Sequence, residues 1–192
     1  MKLKYLIASF LLCILTQLNA QDTWRVDPSH SSIRFTVEHL VISEVVGSFS
    51  EFSGKMVMTE DDFSTAKVTG EINVSSIDTG NKQRDGHLLQ SDFFDASTYP
   101  KITFESTNIK AEKGSYVIAG LLTMKGVEQK VELKAEYKGQ VQFMGHTKAG
   151  IKATTTINRF DYGLNWNSLL ETGGAVVGEE IDIVLNFELI RI

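Results

Sequence analysis

The 192-residue chain holds one cysteine, two prolines and four histidines, and each scarcity removes a class of chemistry. Cys13 lies inside an apolar run, Tyr5 to Leu15, which follows Lys2 and Lys4 and precedes a more polar stretch, Thr16 to Ala20. That three-part pattern is the pattern of a secretory leader. The run is too short for a bilayer span, which takes about 18 apolar residues. Cleavage is expected after Ala20, although Leu18 is bulkier than the small residue usual at that place. Leu12 before Cys13 argues against a lipid-anchored cysteine. Residues 21–192 then form a thiol-free mature chain, with no disulfide and no cysteine nucleophile available. The expected location is periplasmic or secreted.

Other absences narrow the function further. The histidines, His30, His39, His87 and His146, are widely spaced, no H-x-x-x-H pair occurs, and no zinc motif is expected. There is no G-x-S-x-G elbow for a serine nucleophile. The glycines of Thr172 to Gly178 form no G-x-G-x-x-G, so no nucleotide cradle or other cofactor fingerprint is read. The formal charge of -5 becomes more negative once Lys2 and Lys4 are removed, which disfavours nucleic acid.

What is abundant is alternation. Ile33, Phe35 and Val37 alternate with Arg34, Thr36 and Glu38; Val68, Gly70, Ile72 and Val74 do so with Thr69, Glu71 and Asn73. The pattern returns at Ile102 and Phe104, at Val131 to Tyr137, and from Ile181 to Leu189. Further strands are expected near 48–59, 115–124 and 147–157. Period two marks strands buried on one face. About eight such strands joined by short turns predict an antiparallel meander, and closure into a barrel removes its edges. Lys, Glu, Thr and Asn on the opposite faces put the apolar sides inward. The fold class is therefore all-β with a minor helix: one domain over 21–192, an extended eight-stranded barrel.

Two segments interrupt the alternation. Asn81 to Gln90 predicts a short helix with Asn81 as N-cap, and Leu88, Leu89 and Phe93 are available to pack it down. On that helix Arg84 and His87 share a face while Arg84 and Asp85 diverge, which favours scaffolding over acid-base catalysis. Gly163 to Gly178 is a long glycine-punctuated loop carrying Trp166, of a length that tends to be functional. Just before it, Arg159 and Asp161 are expected to form an ion pair at a strand end.

The chain resembles the YceI-like family of exported bacterial proteins. The likeness is carried in order by WRVDPSHSSIRFTVEHL (24–40), VVGSFSEFSG (45–54), SSIDTGNKQRDGHLLQSDFFDASTYPKITFES (75–106), GLLTMKG (120–126) and INRFDYGL (157–164). The resemblance implies a lipocalin-like barrel that binds a polyisoprenoid or other long-chain amphiphile, with no established catalytic role for Arg84, Asp85 or His87. Combined with the inward faces, it predicts a ligand wall built from Phe35, Val37, Phe49 and Met56 in the first half. Ile72, Phe104, Leu122 and Met124 would continue it, and Ile157, Leu164, Trp166 and Phe187 would complete it. Arg84, His87 and Arg159 are candidates for the mouth or for a headgroup. The expected function is a non-enzymatic carrier or sequestering protein. The alternative is a stress-response or interaction module whose acidic surface meets a membrane protein such as a cytochrome, with a homodimer left open; an isoprenoid-modifying enzyme is the third reading.

Overall fold

The computed structural model describes residues 21–59, 62–168 and 175–192; residues 1–20, where a leader is expected, residues 60–61, and residues 169–174 of the expected glycine-rich loop lie outside the described residues. Its strands are β1 (Gln21–Val26), β2 (Ser32–His39), β3 (Ser43–Phe49), β4 (Phe52–Thr59), β5 (Lys67–Asn73) and β6 (Ile77–Asp78). After helix α1 (Lys82–Leu88) come β7 (Lys101–Glu112), β8 (Ser115–Met124), β9 (Val127–Phe143), β10 (His146–Asn158) and β11 (Val177–Arg191).

These segments make a closed eight-stranded antiparallel barrel, because the first three staves are each broken in two. β1 and β2 both run along β11, with Trp24 opposite Arg191 and Val37 opposite Ile181. Between them Pro28–His30 forms a 3-10 turn capped by Asp27, whose side chain accepts from the Ser29 N–H. A proline at the start of such a turn gives up a donor that would be unpaired anyway. β3 and β4 form the second stave, pairing with β2 and β1 respectively, and β5 and β6 form the third across the turn Val74–Ser76. The expectation of about eight strands holds at the level of staves. The first begins earlier than its alternation suggested, at Gln21, because Trp24 and Val26 supply the inward face before the turn.

Inward residues gather into two cores. One, at the far end, centres on Trp24, Met56, Met58, Phe63, Ala135 and Leu189; the other, beneath α1, contains Ile33, Phe49, Val74, Ile102, Met124 and Tyr162. Phe63 stacks on Tyr137 at 4.9 Å and meets Tyr116 edge-on at 4.8 Å, which fills the far end of the barrel with rings. Close packing also fixes Gly120. A Cβ there would lie 2.4 Å from the Phe104 ring and 2.6 Å from the Glu105 carbonyl. Glycine thus lets the Phe104 ring lie flat over the neighbouring strand.

Helix α1 forms where expected. Asn81 accepts from the Gln83 and Arg84 N–H groups, a standard N-cap. The chain then folds back, with Phe94 N–H on the Leu88 carbonyl and Ala96 N–H on the Leu89 carbonyl, so Leu88, Leu89 and Phe94 pack against the core below.

Candidate functional site

Between the two cores the barrel is hollow. A cavity of about 580 Å³ runs from Ile118, Leu133 and Ile151 in mid-barrel to α1 and the β2–β3 hairpin. An eight-stranded barrel is just wide enough for this: its interior is filled by side chains or holds one small ligand. Here Ala153 contributes a small inward side chain on β10.

The structure places every side chain of the expected wall on this cavity. Phe35, Val37 and Phe49 project from the first two staves above the breaks, with Met56 on β4 below. Ile72, Phe104, Leu122 and Met124 follow around β5, β7 and β8, and Ile157 and Phe187 come from β10 and β11. Leu164 and Trp166 reach it from the described start of the long loop. Among the lining residues that the expected wall left out are Ile183 and Leu185, which share the phase of Phe187, Leu133 on β9, a strand from which none was chosen, and Phe94, which lies outside any alternation. Phe94 meets Phe49 edge-on at 6.3 Å.

Arg84, His87 and Arg159 also border the cavity, but each is engaged. The Arg159 side chain is 3% exposed. It donates from Nε to the Gly178 carbonyl at 2.7 Å, from Nη2 to Val177 at 3.1 Å, and from Nη1 to Trp166 at 2.8 Å and to Leu164. The expected ion pair with Asp161 does not form. A 3-10 turn at Arg159–Tyr162 breaks the strand alternation that would have put the two on one side. Arg159 instead clamps the end of β10 to the start of β11 and to the loop between them. Burial lowers its pKa from the ordinary guanidinium value, with Glu179 opposing the shift.

The relation between Arg84 and Asp85 also differs from expectation. They converge on one residue, Thr79: Arg84 donates from Nε to Thr79 Oγ1 and from Nη2 to the Thr79 carbonyl, both at 2.8 Å, and Asp85 Oδ1 accepts from the Thr79 N–H at 3.0 Å. Adjacent helix positions do point apart. The long arginine side chain, however, folds back past the N-cap to meet a strand end that lies before the helix in sequence. His87 is held separately, with Nε2 2.8 Å from Asp92 Oδ2 and its ring edge-on to Phe93 and Trp166 at 5.0 and 5.3 Å. That hydrogen bond holds the Asp92 carboxyl below the usual carboxylate range.

One further cluster lies outside the barrel. Asp27, His30 and Glu188 bring their side-chain ligand atoms within 4.8 Å of one another. Lys148 Nζ stands 2.6 Å from Glu188 Oε1 and 4.0 Å from Asp27 Oδ2, so an ammonium already balances these carboxylates.

The architecture, an up-and-down barrel with a capped helix over an apolar hollow, has known relatives. A model of the YceI-like domain matches residues 24–189. The chain belongs to the YceI-like family. A UPF0312 protein of Staphylococcus aureus is 40% identical over 157 residues, 81% of this chain and 90% of its own length. Among solved structures, the YceI protein of Campylobacter jejuni superposes with a TM-score of 0.68 at 28% identity, over 80% of this chain and 88% of its own. BcnA of Burkholderia cenocepacia gives 0.73 at 24% identity, over 85% and 98%. A structure from Saccharophagus degradans, described as a polyisoprenoid binding domain, gives 0.63 at 14% identity, over 88% and 98%, and so shares the fold.

Proposed function

We propose that this YceI-like barrel carries or sequesters a polyisoprenoid, or another long-chain amphiphile, in its interior without transforming it, and that it does so outside the cytoplasm after loss of the leader. The observation that carries the reading is the cavity itself. Its volume of about 580 Å³ falls within the roughly 300–1,000 Å³ of small-molecule sites. Ten methylenes buried there contribute about 8 kcal/mol at about 0.8 kcal/mol each, the equivalent of a micromolar complex before ordering costs. With Arg159 committed to main-chain carbonyls and Arg84 to Thr79, His39 and Gln83 are among the polar side chains left at the rim to meet a headgroup. The name of the Saccharophagus degradans neighbour supports an isoprenoid as the chain class.

Native mass spectrometry of protein prepared from its own compartment tests this. An adduct that leaves on denaturation and fragments as a long-chain lipid is expected; protein that is consistently ligand-free overturns the reading.

A second reading, a module that meets a membrane protein such as a cytochrome, draws on exposed Val141, Phe143 and Met144 at the far end. Capture of such a partner that survives complete filling of the cavity would favour it.

A further inference from the structure

The turn between β2 and β3 adopts a backbone that its residues resist. The Ile42 N–H donates to the His39 carbonyl at 3.3 Å, while Leu40 and Val41 hold φ of 57° and 64°. Two positive φ values inside a closed four-residue turn mark type I′, which hairpins fill with Asn-Gly or Asp-Gly. A β-branched residue at positive φ is strained. One step down the ladder Glu38 stands directly opposite Glu44, a like-charge pair that weakens a hairpin. Neither choice helps the chain fold, and strain of this kind concentrates at functional sites.

What the turn presents is exposed apolar surface at the edge of the cavity. Ile42 is 84% exposed and Val41 57%, with Val46 open on the outer face beneath them. His39 and Val45, on either side of the turn, line the cavity, as do Val176 and Val177. The Leu40 N–H donates to the Val176 carbonyl at 2.9 Å, which ties the hairpin to the end of the long loop. Asn81 and Gln83 border the same cavity from α1.

We propose that Leu40-Val41-Ile42 is a membrane-docking tip: it dips into the interfacial layer of a neutral phospholipid surface and holds the cavity mouth against it. An apolar chain then passes between bilayer and barrel without crossing water. The inference rests on reading the cavity as a lipid site. Charge selects the partner. From His39 to Ser43 there is no carboxylate or ammonium, whereas Glu38, Glu44, Glu179 and Glu180 lie just behind on β2, β3 and β11. These acids repel anionic headgroups, so the match is to a zwitterionic surface entered by apolar burial. They also repel the same acids of a second copy brought tip to tip.

The test is flotation with phosphatidylcholine–phosphatidylethanolamine vesicles. Leu40→Asn/Val41→Gly installs the residues that the turn prefers and removes two of the tip's three apolar side chains, leaving Ile42, so folding is kept. The parent protein should co-float, undiminished in about 0.5 M salt, where charge attraction is screened. The double variant should bind at least roughly tenfold less with an unchanged or higher Tm. Met144→Asn, which removes comparable surface at the far end, should bind like the parent. Four results overturn the docking tip: no flotation of the parent, equal flotation of the double variant, equal loss in Met144→Asn, or loss in salt. A parent dimer that the double variant dissociates, without vesicle binding, overturns it in favour of self-association. Native mass spectrometry of the same samples after loading from detergent separates the two ideas. A loaded parent that fails to float sinks docking alone, while a parent that never loads sinks the cavity reading.

Discussion

The Thr79 hydroxyl donates to Asp85 Oδ1 at 2.5 Å, beside the Thr79 N–H that donates to the same oxygen at 3.0 Å, so one carboxylate holds both polar ends of the residue that leads into α1. The hydroxyl oxygen also accepts from Arg84 Nε. Thr79 therefore joins the helix to the third stave. Thr79→Val keeps the shape and removes two side-chain hydrogen bonds in a largely buried place, with an expected cost of about 2 kcal/mol. Hydrogen exchange over residues 82–94 should accelerate more than exchange in the β9–β10 ladder. Uniform protection in both would show that the contact does not hold the helix.

Arg159 makes a sharper prediction because its partners are carbonyls rather than a carboxylate. Arg159→Lys keeps the charge but replaces a planar fork with a single ammonium that cannot reach four oxygens at once. Leaving buried carbonyls unpaired costs about 1–3 kcal/mol each, so an overall loss of about 3 kcal/mol is expected after relaxation. For a domain of this size that lowers Tm by about 6–12 °C. A variant as stable as the parent would mean that water replaces the clamp.

Ala153 is buried and lines the cavity in mid-barrel. Ala153→Leu adds apolar volume where there is room for it. Stability should be unchanged or higher, whereas overpacking a solid core typically costs about 1–3 kcal/mol. Retained lipid should fall by about tenfold or more. Calorimetry and mass spectrometry on one sample distinguish a hollow from a filled interior.

These tests also mark how far the sequence could be read. Ile33-Phe35-Val37 and Val131 to Tyr137 reveal their inward faces because side chains alternate strictly along a strand, and that predicts the barrel; naming a wall drew on the family resemblance as well, since Leu164 and Trp166 lie outside any alternation. The breaks at Pro28–His30 and Val74–Ser76 were not legible as interruptions of single staves, since a short 3-10 turn leaves no period to detect. Arg159 and Arg84 were misjudged for a related reason. Their partners are main-chain oxygens and a threonine beyond the helix cap, contacts that depend on where the chain returns rather than on local spacing. Hollowness follows from the summed volume of residues on different strands, which no single stretch contains.

Acid should expose a further set of contacts. The His30 hydrogen bond, then the Ser29 N–H, hold the Asp27 carboxyl below its ordinary 3.8, and Ser64 does the same for Asp62. A carboxyl whose pKa is depressed by folding contributes stability above its unfolded value and loses it as pH falls through the folded one. Tm should therefore hold from neutrality to about pH 5 and fall below about pH 4. Asp27→Asn should flatten part of that acid limb; an unchanged limb would assign it to other carboxylates.

The ring stack of Phe63, Tyr116 and Tyr137 gives the barrel a blind bottom. If the barrel carries a chain as proposed, an end closed in this way imposes direction on it: the chain enters tail first from the α1 end and its polar head stays at the rim. Release must then retrace entry, head leading. On the carrier reading the chain would always be handed over in the same orientation, as a capped cartridge rather than a threaded bead.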